Sequence, residues 1–290
     1  MANNKILVEE RTRDIGKFLV GRLLPFREKR MVGPFCFIDH MGPTTLPSGE
    51  AFDVDQHPHI GLCTLTYLLD GQIEHKDSTG ASRVISPGSV NLMISGRGVS
   101  HTERTPLSLR DQLPLSIHGY QVWIALPQEM EEIEPSFVHI EEHELPIWTD
   151  GTLEIKIVAG SAFGKTAPTP VFSPLFMVDI WAKAEAEIDL KDKIQGEIAF
   201  VVVAGLVWDD GEAIGPGQML ISKTENECRI RLEKHTRLLL FGGQPFPEQR
   251  YMYWNFVSSS RQRLEKAKLD WKNHLFPKVP GDDSYIPLPE

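Results

Sequence analysis

Apolar, β-branched runs of five to eight residues, each cut short by Gly, Pro, Asp or Ser, recur through most of this chain. Leu62–Leu69, Ser89–Ser95, Tyr120–Leu126, Ile198–Val203 and Arg237–Phe241 are examples. Their length and spacing predict many short strands packed as a barrel or sandwich. The expected class is therefore all-β. Helical patterning is confined to the end, where Ser259 and Gln262 fit a capping box and Leu264, Ala267 and Trp271 share one face ahead of Phe276-Pro277. That pattern predicts one amphipathic C-terminal helix docked on a barrel.

The strand pattern also repeats. Tyr67-Leu-Leu-Asp-Gly71 resembles Val201-Val-Val-Ala-Gly205, and each is followed by a Pro-Gly turn, Pro87-Gly88 and Pro216-Gly217. At 290 residues the chain exceeds the usual size of one domain, so two similar β-domains are expected. Phe163–Pro174, with three prolines, two threonines and a glycine, reads as the connection and sets the domains at 1–165 and 166–290.

Forty acidic against thirty basic residues give a formal charge of −10, with no Lys- or Arg-rich run. Such a surface does not suit phosphate backbones or anionic lipid, so direct nucleic-acid binding is not expected. No apolar run approaches the roughly 20 residues of a membrane helix. Cys36, Cys63 and Cys228 are too few and scattered for a disulfide framework or a Cys-based zinc site, and the start does not resemble a signal peptide. A cytoplasmic protein is expected. No strand advertises an exposed apolar edge, which makes a monomer the default.

The chemistry of the sequence is concentrated in two short segments. In Asp55-Gln-His-Pro-His59, residues two apart on an extended chain share a face, so His57 and His59 can aim both imidazoles at one point. Pro58 keeps the segment extended and confines it to a sheet edge or a strand start. The same spacing recurs in His101-Thr-Glu103. Three neutral imidazoles and one carboxylate make an N₃O set for a divalent first-row metal, with positions left for water, substrate or dioxygen. Iron(II) is the first choice, with manganese, nickel, cobalt, copper and zinc as alternatives.

The remaining histidines are assigned no role. His40 and His118 read either as groups orienting ligands or as hydrogen-bonded structural histidines. His75 could continue the inward face, with its parity undefined across a turn. His139, His143, His235 and His274 lie in charged surroundings and read as solvated. In the second repeat, aligning Gly205 with Gly71 sets Lys191 and Lys193 against His57 and His59. Aligning Gly217 with Gly88 sets Ile230 and Leu232 against His101 and Glu103. The second domain is expected to lack the metal.

These residues and several further stretches resemble the pirin family of bicupins. The stretches are Phe37-Ile-Asp-His-Met-Gly-Pro43, His57-Pro-His-Ile-Gly61, Thr66–Gly71, His75-Lys-Asp-Ser78, Gly96-Arg-Gly98, His118-Gly119, Trp254–Ser260 and Phe276–Asp282. The resemblance implies two tandem cupin, jelly-roll type β-barrel domains and a single iron in the first, held by His57, His59, His101 and Glu103. It also implies a quercetinase-like activity, in which dioxygen opens the central ring of a flavonol and carbon monoxide is released. Glu103 would then be the catalytic base. Eukaryotic members are described as nuclear, redox-sensitive transcription cofactors, so the alternative is an iron-dependent redox-sensing regulator that binds a protein partner without catalysis. Cys63 stands where more familiar members carry glutamate. Counting by twos from His59 aims it at the barrel interior if no bulge intervenes, where the preferred reading is a small buried apolar residue and the alternative a thiol near the metal.

Overall fold

The computed structural model describes residues 5–15, 18–47, 50–110, 114–222 and 229–289, so Cys228 lies outside the described residues. Contacts divide the chain into two compact units, each drawn from three segments. One unit comprises 1–11, 21–37 and 143–246, and the other comprises 12–20, 38–142 and 247–290. Phe163–Pro174, which reads as a linker, lies inside the first of these. Within it Lys165–Thr166 pairs with the Leu153–Ala162 strand.

The unit holding most of the C-terminal half has a large antiparallel sheet. Its order runs Lys5–Glu9, Gln218–Ser222, Glu197–Ala204, Arg237–Gly243, Leu175–Ala182, Leu153–Ala162 and Ile147–Thr149. A second sheet runs Ala186–Asp189, Arg229–Leu232, Val207–Asp209 and Glu212–Ile214. The edge strand Lys5–Glu9 comes from the start of the chain and pairs with Gln218–Ser222, more than 200 residues away. No local pattern reveals such a pairing.

The other unit is built on eight strands that matter for the site: β1 (Asp53–His59), β2 (Leu62–Asp70), β3 (Ile73–Asp77), β4 (Ser82–Ile85), β5 (Val90–Ile94), β6 (Val99–Arg104), β7 (Leu115–Ala125) and β8 (Ser136–Ile140). One sheet has the order β1-β6-β3-β4. The other runs β8-β5-β2-β7 and continues through the Phe35–Leu46 strand. Its strands read as continuous apolar runs because both faces are covered: Leu62, Leu65, Tyr67, Leu68 and Val90 are fully buried. The five runs singled out in the sequence fall on β2, β5, β7, Glu197–Ala204 and Arg237–Gly243.

The C-terminal helix α1 spans Arg261–Lys272 and buries Leu264, Ala267 and Trp271, as the periodicity predicts. Its cap is one residue later than the sequence pattern suggests. Ser260 accepts from the Arg263 amide, while the Ser259 hydroxyl and amide are both engaged by the buried Glu131 carboxylate. A tertiary partner thus removes Ser259 from the capping role. Within the described residues, no helix is long and apolar enough to cross a membrane.

Candidate metal centre

β1 lies at the edge of its sheet, the position Pro58 requires. Its pairing with β6 sets Val99 opposite His59 and His101 opposite His57. The register then slips: Glu103 faces Val54 instead of Asp55, so β1 carries one extra residue. A bulge leaves backbone groups without ladder partners, and here three of them find others. The Asp55 carbonyl accepts from His57 Nδ1 at 2.8 Å. Gln56 donates its amide to Ser284 Oγ and accepts at its carbonyl from the Ile286 amide. The C-terminal tail therefore covers the exposed edge of the strand that bears the histidines.

With this register the three imidazoles converge. Ring centroids are 4.2 Å apart for His57–His101, 4.9 Å for His59–His101 and 5.1 Å for His57–His59. One ring nitrogen from each lies within 4.8 Å of the other two. Because His57 Nδ1 is committed to a carbonyl acceptor, it carries the proton and Nε2 keeps its lone pair. His101 Nε2 and both ring nitrogens of His59 are buried without a hydrogen bond of normal geometry. The Asn255 backbone is the one hydrogen-bonding influence on His59, beside the repulsion of His57 and His75. Buried polar atoms left this way cost free energy unless something else satisfies them, and a cation held by the lone pairs would do so. The donor set fits a divalent metal.

Glu103 is brought beside this cluster but does not belong to the 4.8 Å set. Its Oε1 lies 3.3 Å from Thr66 Oγ1, which also donates to Gln121 Oε1 at 2.8 Å. Burial pushes the Glu103 carboxyl above the usual carboxylate range, against the opposing pull of His75 and the Thr66 bond. Trp123 sits edge-on to His59 at 5.1 Å. All four residues are buried: His59 and His101 are 1 % and 0 % exposed, and His57 and Glu103 are each 7 % exposed.

Burial also keeps the imidazoles neutral. His57 is lowered to about 4, mainly by burial, despite the favourable Asp55 carbonyl. His59 and His101 are driven well below the usual histidine range, by burial first and then by neighbouring imidazoles. From sequence alone, protons should displace metal near pH 6, roughly the value for an ordinary histidine. The structure moves that expectation down toward the His57 value of about 4. The metal-free fold should respond in the same window. An unfolded chain binds protons that these folded-state imidazoles refuse, so stability falls as pH drops from about 6.5 toward 4. His57 alone accounts for about 2 kcal/mol of loss between pH 6.5 and 5. Glu103, with its raised pKa, acts in the opposite sense. Metal content after equilibration and urea midpoints across this range test both effects. Metal released already at pH 6 would contradict them.

Several sequence expectations change at this point. Cys63 is buried, but it lies three residues before Thr66 on regularly paired β2 and so faces away from the Thr66 side. Gly61 breaks the count from His59. It takes φ of +68°, and a Cβ there would meet the Val257 carbonyl oxygen at 2.0 Å. His40 is buried, stacked on Tyr120 at 4.5 Å and 3.0 Å from His118, which suits a structural pair. His139 is not solvated: it is half-buried, with Nδ1 2.6 Å from Asn91 Oδ1 and Nε2 3.3 Å from Glu141. His75, assigned no role from its sequence position, is buried against His101.

The second repeat also differs from its sequence alignment. Ile230 pairs with Ile188, as His101 pairs with His57. The positions matching His57 and His59 are therefore Ile188 and Leu190 in place of Lys191 and Lys193, and all four apolar side chains, with Ile230 and Leu232, are buried. No nitrogen donor stands at these positions.

The model of the Pirin family matches residues 17–124, and that of the Pirin C-terminal cupin domain matches residues 177–277. The chain belongs to the pirin family. A pirin-like protein of Caulobacter vibrioides is 43% identical over 290 residues, covering 98% of this chain and 99% of that protein. A crystal structure of a quercetin 2,3-dioxygenase from Acinetobacter baumannii has a TM-score of 0.91 at 34% identity, over 99% of this chain and 95% of that one. The Escherichia coli pirin YhhW in complex with nickel(II) shares the fold, with a TM-score of 0.65 at 20% identity over 83% of this chain and all of that one. These pirin relatives fit the reading of two cupin domains, and the histidine group is one that could hold a metal.

Proposed function

We propose that this pirin is a metal-dependent dioxygenase that opens the central ring of flavonols such as quercetin with O₂. The observation that carries the reading is the convergence of three neutral, buried imidazoles beside a buried carboxyl group of raised pKa. Overall similarity to a quercetin 2,3-dioxygenase supports the substrate class. His57, His59 and His101 would hold the ion, taken here as iron(II), with Glu103 as the fourth group. When bound, the metal supplies Lewis acidity that stabilises an enolate oxygen and a site for dioxygen chemistry.

The remaining contributions come from the chain itself. Glu103 accepts the proton of the flavonol 3-hydroxyl, for which a buried carboxylate with a raised pKa is well suited. The Thr66 hydroxyl, which also bonds Gln121, contacts that carboxyl. Trp123 and the buried imidazoles exclude water from around the reacting oxygen. The ring chemistry belongs to the flavonol and oxygen, and the protein orients them.

The test is quercetin consumption with carbon monoxide release by protein prepared under low oxygen and loaded with iron(II). Turnover that requires the metal and yields one carbon monoxide per flavonol is expected. A metal-loaded protein that consumes no flavonol, and whose affinity for a protein partner changes with iron oxidation, would replace this reading with the regulatory one.

A further inference from the structure

Behind His101 lie two buried side chains, His75 and Asp77, that stand outside the three-histidine group. β3 pairs with β6 so that Asp77 stands opposite His101 and His75 opposite Glu103. His75 Nε2 lies 3.0 Å from Asp77 Oδ2, and His75 Nδ1 lies 3.3 Å from His101 Nδ1. Asp77 is fully buried, His75 is 3 % exposed and His101 is 0 % exposed. The His75 ring is clamped against Phe137, with centroids 4.5 Å apart and planes 16° apart.

Hydrogen-bond polarity along this chain has one consistent solution for neutral rings. A carboxylate only accepts, so the His75 Nε2 position carries the proton. His75 Nδ1 is then a lone pair. The proton between the two Nδ1 atoms must belong to His101, which leaves His101 Nε2 as a lone pair. That nitrogen is the one without a hydrogen-bond partner. Asp77 is itself immobilised, because its other oxygen accepts from the Thr79 amide at 2.8 Å, the Thr79 hydroxyl at 2.6 Å and the Ala81 amide at 3.2 Å. The direction of the relay is thus anchored in a turn at the end of β3.

We propose that Asp77 and His75 are positioning residues that fix the tautomer and ring orientation of His101, so that its Nε2 is presented to a divalent metal. This deepens the reading of His57, His59 and His101 as a metal-holding group and rests on it. Metal-ligating histidines depend on such outer partners, whose loss lowers metal affinity by about 10- to 100-fold. What is unusual here is the insertion of a second imidazole between carboxylate and ligand, which carries the orientation across two strands.

Nitrogen-15 imidazole spectra of the metal-free wild type near neutral pH test the assignment directly. His101 should appear as the Nδ1–H tautomer and His75 as the Nε2–H tautomer. Asp77→Asn retains an oxygen for the Thr79 and Ala81 amides but turns an N–H₂ toward His75. This reverses the polarity, and His101 should shift to the Nε2–H form. Cobalt(II) titration of the same protein should then show about 10- to 100-fold weaker binding than wild type. His75→Phe, which can keep the stack on Phe137, should weaken cobalt binding similarly.

Wild-type binding of one cobalt ion, with both the tautomer change and weakened binding in Asp77→Asn, supports the relay. Wild-type binding with affinity unchanged in Asp77→Asn and His75→Phe, or with His101 already in the Nε2–H form, overturns the relay and leaves the three-histidine reading standing. If wild type binds no cobalt, the three-histidine reading fails and takes the relay with it. Should Asp77→Asn not fold, the wild-type tautomers still decide.

Discussion

His59→Leu should produce a protein that folds at least as well as the metal-free wild type and no longer holds metal. His59 is 1 % exposed, and neither ring nitrogen makes a hydrogen bond of normal geometry. Leucine fills similar volume and removes two buried polar atoms, a change that is commonly neutral or stabilising. Metal affinity should fall by more than about a hundredfold, since loss of an outer partner alone costs up to that much and here a direct donor is removed. Any flavonol turnover should disappear with it. Thermal melting of the metal-free proteins, metal analysis and carbon monoxide release form one matched set of measurements. Turnover surviving in His59→Leu would remove the metal from the mechanism.

Glu103→Gln should separate proton transfer from metal holding. Glutamine keeps the shape of the side chain and can still bond to Thr66, but it cannot accept the substrate's proton. A kcat lower by about 10²- to 10⁴-fold is expected, the range for loss of a positioned general base. Iron should be retained by His57, His59 and His101, because the three imidazoles already form a group without Glu103. Stability gives an independent sign. Burial raises the carboxyl pKa, so at neutral pH the ionised group opposes folding, and the metal-free variant should be more stable than wild type. Loss of iron in step with activity would make Glu103 chiefly a ligand. Unchanged kcat would remove it as the base.

The part of the site legible in the sequence is the part governed by local geometry. Two residues of spacing on an extended chain decide that His57 and His59 share a face, and Pro58 decides that their strand lies at an edge. Strand runs and the buried face of α1 were legible for the same reason. What escaped depends on partners distant in sequence. His75 and Asp77 join the site through pairing with β6, and a turn between β2 and β3 hides their parity. Cys63 was aimed inward by counting through Gly61, whose left-handed backbone breaks the alternation. Lys191 and Lys193 were matched to the histidines through turn positions, whereas strand pairing selects Ile188 and Leu190. The bulge in β1 was likewise invisible, although it frees the Asp55 carbonyl that sets the His57 tautomer.

The location of the ion itself tests the account most directly. Anomalous diffraction at the iron edge, from crystals of the full chain loaded with iron(II) under low oxygen, should give one strong peak bounded by His57 Nε2, His101 Nε2 and a ring nitrogen of His59. No peak there, or a peak only at some other place in the molecule, would contradict it.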